Sequence, residues 1–516
     1  MQDALFGTEV EFGVTGAVDA PLAAAMVKTE IFDGYRYGVV DPAPREWGET
    51  PANGGFLFNG GRLLIDSGHL EYATPECRTL ASLVAQEMAV EQILSETVGR
   101  LGKDESIYFI KSNTDYCGNT FGYHESYSMR RRPDDDLVIA GLMPFLVTRQ
   151  IFAGAGMVFF GGRNEAAQYF ISQRAQFADV GVSRRVRYGG RPIINLRDEP
   201  LGTRARLHVI IGDANRSEYA TALKVGTAAL VTQLLDGGWT QPLTLGTPVR
   251  DLRQIAANAE GGWTVQDERY GSVAAVEVQR LYLHEATRRF AGRDADTDWT
   301  LENWAQVLDQ LESDPETLNG KLDWVTKRGV LREIAAESEG GWSNRDLLKV
   351  DQAYHIVGSE QSIFAALRER SEMGFLLPTP VARRAIASPP TDTRAFARSQ
   401  VLRAMAEAGA AEHVNWRRLR NGLSDYALWE GRLYRVYSYI DGWEEIEASG
   451  AWDVVPYVLD WESIAINGAV LHIGDPFERY AEESDAFVGQ VGHLLDEPAY
   501  DEDEFEDDDP ELEDGL

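Results

Sequence analysis

The chain has 516 residues, 44% of them hydrophobic and 10% aromatic, and a formal net charge of −33. That length and composition admit a large core and more than one domain, while the charge argues against nucleic acid and anionic membranes as partners. No run approaches the roughly 20 consecutive apolar residues of a membrane span. The N-terminus shows no secretory pattern, and Cys77 and Cys117 are too few for a disulfide framework, so a cytoplasmic protein is expected.

In chain order, Gly7-Thr8-Glu9-Val10-Glu11-Phe12-Gly13 reads as a strand. Its period of two puts Glu9 and Glu11 on one face and Val10 and Phe12 on the other. Two carboxylates about 7 Å apart on a core-lined strand repel unless a cation lies between them, and Mg²⁺ takes oxygen ligands. Taken alone, an edge strand with two solvated glutamates explains the motif more simply. Residues 16–55, rich in Gly, Pro and polar side chains, are expected to be irregular. Leu63-Leu64-Ile65 reads as a strand ending in Asp66, with Glu71 five residues later. A carboxylate at a strand end can act as a general base or simply serve a turn.

Residues 80–101 carry the spacing of a helix. The polar loop Lys111-Ser112-Asn113-Thr114-Asp115, with Gly118 and Gly122, could bring backbone N–H groups to a phosphate; it leads into a strand bearing His124, Glu125 and Ser126. Arg197, Arg206 and His208 flank an apolar strand over 207–211. Arginine suits a transferring phosphoryl group because its planar fork donates bidentately and stays charged, whereas a lone histidine on such a strand is more often a core residue. Residues 301–311 and 394–408 read as helices, the second after the break at Pro389-Pro390-Thr391. From Val414 the sequence is rich in Trp and Tyr, as in a small separate domain, and 496–516 reads as a disordered acidic tail. There is no Walker-type loop and no dinucleotide fingerprint.

Taken together and in order, several of these segments resemble the Pup ligase and depupylase family. They are the Glu9/Glu11 strand, residues 63–77, 107–127, 144–156, Ser172-Gln173-Arg174-Ala175, 192–200 and 206–230, then Leu322-Asp323-Trp324-Val325, 351–355 and 389–398. The resemblance implies an α+β, glutamine-synthetase-like fold: a concave antiparallel sheet flanked by helices, with a small C-terminal domain. The catalytic domain would span 1–400 and the small domain 401–495, the latter holding an insertion near 421–468.

The resemblance also implies ATP and Mg²⁺ as cofactors. The γ-phosphoryl goes to the C-terminal glutamate side chain of a Pup-like small, acidic, disordered protein, and a lysine of a target protein then forms an isopeptide bond. On this reading Glu9, Glu11, Glu71, His124 and His208 hold metal, and Asp66 is the base. Arg197 and Arg206 stabilise the transferring phosphoryl group, and Asn113, Ser126, Arg206 and Arg394 contact nucleotide. A monomer is expected. The short spacing from Gly13 to Phe56 leans towards the ligase branch. Residues 201–205 lack the His-Ala-Asp run usual there, and Ser126 stands where the family has Asn. The alternatives are a hydrolase using water at the same site, a small-molecule glutamate–amine ligase, and a non-catalytic binding protein.

Overall fold

The computed structural model describes residues 1, 3–16, 18–42, 52–102, 107–161, 166–185, 190–414 and 456–496, and the backbone of three short strands between 426 and 445. Residues 497–516, and residues 421–425, 430–431, 439–441 and 446–455 of the expected insertion, lie outside the described residues.

Strand β1 (Phe6–Gly16) is the spine of an eight-stranded antiparallel sheet. The chain then forms β2 (Gly38–Asp41), β3 (Gly54–Leu57), β4 (Arg62–Asp66), β5 (His69–Ala73), β6 (Ile107–Ile110) and β7 (Tyr123–Met129). The short pairs β8 (Met157–Phe159) with β9 (Gln168–Phe170) and β10 (Val180–Ser183) with β11 (Pro192–Asn195) stand apart, and β12 (Ala205–Val209) returns to the main sheet. The order across that sheet is β12-β7-β1-β5-β4-β3-β2, with β6 pairing the far end of β1. The expected α+β class and antiparallel sheet flanked by helices are therefore found.

Alternation decides which side chains meet the core. Val10, Phe12, Leu63, Leu70, Tyr72 and Tyr123 are fully buried and pack with α1 (Ala20–Phe32) and α2 (Leu80–Leu101). Leu207 and Val209 join the larger core around α5 (Glu218–Asp236), which follows α3 (Asp135–Thr148) and α4 (Gln150–Ala153). Each such side chain contributes about 1.5–3 kcal/mol by leaving water, which fixes the register and so fixes what the opposite face displays.

The helix-side face also buries charge. Glu125 takes two bonds from Arg149, at 2.6 and 2.8 Å, and one from the Tyr127 hydroxyl at 2.6 Å. Lys111 donates to Glu87 at 2.7 Å and Glu91 at 3.0 Å, and the Tyr123 hydroxyl donates to Glu87 at 2.6 Å.

The expectation of an irregular 16–55 segment is corrected. It contains α1, capped by the Asp19 carboxylate, which accepts from the Leu22 N–H at 2.9 Å, with Pro21 in the first turn where its missing N–H costs nothing. It also contains β2 and β3, whose glycines lie in strands because neighbouring backbone comes so close. A Cβ on Gly38, Gly54 or Gly55 would fall 2.1–2.3 Å from a carbonyl oxygen of the adjacent strand.

The proposed domain boundary at residue 400 falls inside the helix Ala395–Glu407. That helix shares one core with Val39 and Phe56 of the main sheet and with Tyr457, Leu459, Ile464, Ile466 and Phe487 of the C-terminal segment. The C-terminal unit is thus built onto the sheet's edge. Among the described residues no helix is long and apolar enough to cross a membrane.

Candidate active site

The face of the sheet away from α2 and α5 is polar, and it floors a cavity of about 370 Å³. Register brings its side chains together: Glu11 faces Glu71, Glu9 faces His124, Leu64 faces Glu71 and His208 faces Ser126. Glu9, Glu71, Ser126, Arg206 and His208 line the cavity floor. Along β4 the period of two puts Arg62, Leu64 and Asp66 on the same side, leading from the cavity to its open end.

Two groups of donors emerge. Glu9, His124 and His208 offer ligand atoms within 4.8 Å of one another, and so do Glu11, Asp66 and Glu71. The first is knit by existing contacts. His124 Nδ1 lies 3.1 Å from Glu9 Oε2, and Arg206 donates to Glu9 Oε1 at 2.6 Å and to Ser126 Oγ at 2.9 Å. His208 Nδ1 lies 2.7 Å from Glu199 Oε2. A carboxylate only accepts, so this nitrogen carries a proton, and Nε2 is the ring nitrogen left to a cation. Nε2 is buried without a hydrogen-bond partner, 3.6 Å from Glu9 Oε2. An orphaned imidazole nitrogen beside carboxylates in two clusters is a donor set that fits a divalent cation.

The electrostatics divide the two groups. Burial alone would raise the Glu9 carboxyl, but Arg206, His124 and His208 outweigh it and hold it well below the usual carboxylate range. Glu71 is pushed well above that range by burial and by the charges of Glu9, Glu11 and Asp66. Partial desolvation and Glu11 likewise raise Asp66, which is exposed at the end of β4. Cationic charge placed between these carboxylates relieves the repulsion.

Arg197 is half-exposed at the rim, paired with Glu199 at 2.9 Å, and so reaches the site through that carboxylate. Arg394 lines the cavity, but its Nε is committed to Glu76 at 2.6 Å and its Nη1 to the carbonyls of Ile473 and Gly474 at 3.3 Å. It braces the cavity wall while lining the space expected to take nucleotide. Asn113 stands away from the cavity lining. It is fully buried, its amide donates to the Phe121 and Gly212 carbonyls, and its Oδ1 accepts from the Ala214 N–H at 2.6 Å. It ties two loops together and presents nothing to the cavity.

Sequence reasoning missed Arg62, Glu199 and the stretch Asp460, Trp461 and Glu462, all of which line the cavity. Arg62 was findable, since it shares a strand face with Asp66. Glu199 looked like one more loop acid. Nothing in the sequence ties Trp461 to the sheet; Arg398 does so in the fold, donating to the Trp461 carbonyl at 2.8 Å with its guanidinium 4.7 Å from the centre of that indole ring.

Comparison with known proteins supports the geometry. The family described as Pup-ligase protein matches residues 4–420. The Pup–protein ligase of Acidimicrobium ferrooxidans is 38% identical over 396 residues, covering 74% of this chain and 86% of that protein. The Pup–protein ligase of Actinosynnema mirum is 35% identical over 449 residues, covering 83% and 95%. The crystal structure of the ligase PafA in complex with Pup superposes with a TM-score of 0.75 at 25% identity, over 95% of this chain and 92% of that one. PafA in complex with ADP gives 0.70 at 26% identity, over 85% and 90%. With the family match spanning the sheet that carries every donor described above, this chain belongs to the Pup-ligase family.

Proposed function

We propose that this chain is an ATP-dependent ligase that phosphorylates the C-terminal glutamate side chain of a Pup-like modifier and joins it to a lysine of a target protein. The observation that carries this reading is the meeting of both donor groups, the second of which includes Asp66, with Arg206 on one face of the sheet, in a chain of the Pup-ligase family.

Mg²⁺ held by Glu9, His124 and His208, and by Glu11 and Glu71, would neutralise the phosphate oxygens. That places the triphosphate at the acidic end and leaves Trp461 as the aromatic surface for the purine. Arg206, fixed by Glu9 and Ser126, donates to the γ-phosphoryl as charge moves onto it. The Pγ–O bond to ADP breaks while a bond to the glutamate carboxylate forms, giving a γ-glutamyl phosphate. The lysine amine attacks the acyl carbon, Asp66 takes its proton, and phosphate leaves with the bonding pair. A raised carboxyl at the open end is a stronger base than a solvated one. A monomer acting in the cytoplasm completes the reading, in keeping with the free cysteines Cys77 and Cys117.

The test is conjugation of a modifier ending in glutamate to a lysine-bearing protein. Asp66→Asn is expected to keep Mg·ATP binding by calorimetry and lose conjugation by about 100-fold or more. Glu9→Ala is expected to lose the ATP affinity itself. Absence of any conjugate from the unaltered protein, or full activity in Asp66→Asn, overturns the reading.

A further inference from the structure

The edge strand β12 is entered through a tight turn, 201–204, closed by backbone bonds from Leu201 N to Arg204 O at 2.9 Å and from Arg204 N to Leu201 O at 3.1 Å. The turn docks on the C-terminal unit. The Gly202 N–H donates to Glu462 Oε1 at 2.7 Å and the Thr203 N–H to the Gly474 carbonyl at 3.3 Å. The Arg204 guanidinium lies 4.7 Å from the centre of the Phe477 ring, with Arg78 at 5.4 Å from the same ring. Gly202 has a φ of +59°, and a Cβ there would fall 1.8 Å from the Gly474 oxygen, so the docking admits only glycine.

Both sides of this contact reach the cavity. Leu201 and Glu199 line it from the strand side, Glu462 and Trp461 from the C-terminal unit. Glu199 also sets the His208 ring. The path from His208 through Glu199, Gly202 and Glu462 thus links the donor group to Trp461.

We propose that the 201–204 turn is a positioning strap for ATP, with Gly202 acting through Glu462 to hold the Asp460–Glu462 wall against the nucleotide. The proposal rests on the ATP-dependent reading above. The strapped wall meets the part of the nucleotide that does not react, so it contributes equally to ground state and transition state. Loosening it therefore raises KM for ATP and spares kcat. A bond to a carboxylate contributes enough that its loss corresponds to about 10-fold or more in affinity.

The experiment measures Mg·ATP affinity by calorimetry, and KM and kcat for ATP in conjugation, on the full-length protein. Gly202→Val is expected to weaken ATP about 10-fold with kcat within about 2-fold. Glu462→Ala is expected to match it, and Glu462→Gln, which keeps the acceptor oxygen, to restore most of the affinity. Because the two residues act as one contact, the double variant Gly202→Val with Glu462→Ala is expected to be no weaker than either alone. Should Gly202→Val fail to fold, the Glu462 pair decides. Native ATP affinity in folded Gly202→Val, additive losses in the double variant, or a fall in kcat alone overturns the strap. Absence of ATP binding by the unaltered protein overturns the ATP reading along with it.

Discussion

Glu125, fully buried, and Glu71, half-buried against the cavity, stand on opposite faces of the same sheet and end in opposite electrostatic states. Burial pushes both carboxyls up. At Glu125 the Arg149 fork and the Tyr127 hydroxyl more than reverse the push, and the carboxylate is held down. At Glu71 the neighbours are Glu9, Glu11 and Asp66, which add to it. The helix-side face resolves each buried charge within the protein, whereas the cavity face leaves a surplus of negative charge for a ligand to resolve. Groups that a fold leaves electrostatically unresolved mark where it works on something else.

That contrast can be broken experimentally. The largest effect is expected from Arg149→Leu, which strands Glu125 in the core. Removing one partner of a buried pair costs about 3–5 kcal/mol, read as a lower denaturant midpoint. A midpoint near that of the unaltered protein would show that the helix-side charges are not resolved pairwise.

Glu76 sharpens the comparison, because it lines the cavity yet is compensated. Burial would raise it, but Arg398 and Arg394 bring it from 4.5 down to about 2. A carboxyl lowered on folding stabilises fully above its unfolded value and loses that contribution as pH falls through its folded value. About 3 kcal/mol should therefore disappear between about pH 4.5 and pH 2, and Glu76→Gln should flatten that limb of the acid titration. An unchanged acid limb in Glu76→Gln would place the acid sensitivity elsewhere.

The smallest effect has the opposite sign. Glu71→Gln removes a repelled carboxyl and is expected to raise stability by about 1 kcal/mol when measured in chelator, while weakening Mg·ATP binding. A loss of stability in chelator would mean that Glu71 is satisfied by the protein after all.

Much of this site could be read from strand parity. The pairing of Glu9 with Glu11, and their separation from Val10 and Phe12, follows from a period of two and holds in the fold. Helix α2 has the bounds its apolar spacing gave. Legibility failed where function depended on contacts distant in sequence. Asn113 sat in a glycine-punctuated loop that looked suited to phosphate, but the 210–214 segment covers it, and burial consumed its hydrogen bonds. The tie of Arg394 Nε to Glu76, 318 residues away, was equally invisible in the sequence. Glu199 acquired a role only when β12 folded back and presented His208 to it. In the 16–55 segment glycine and proline suggested loop, when the glycines instead allowed strands to approach closely.

The donors come from β1, β4, β5, β7 and β12, and they share one sheet face only because each strand keeps its phase with the neighbours. Gaining or losing one residue inside any of these strands would turn the following side chains through the sheet, exchanging Glu71 for Tyr72 or His208 for Leu207. Length can therefore drift in the connections during evolution, while the strands are held to substitution alone. Aligned members of such a lineage should show gaps that stop at strand ends, giving a record of selection that concerns spacing more than residue identity.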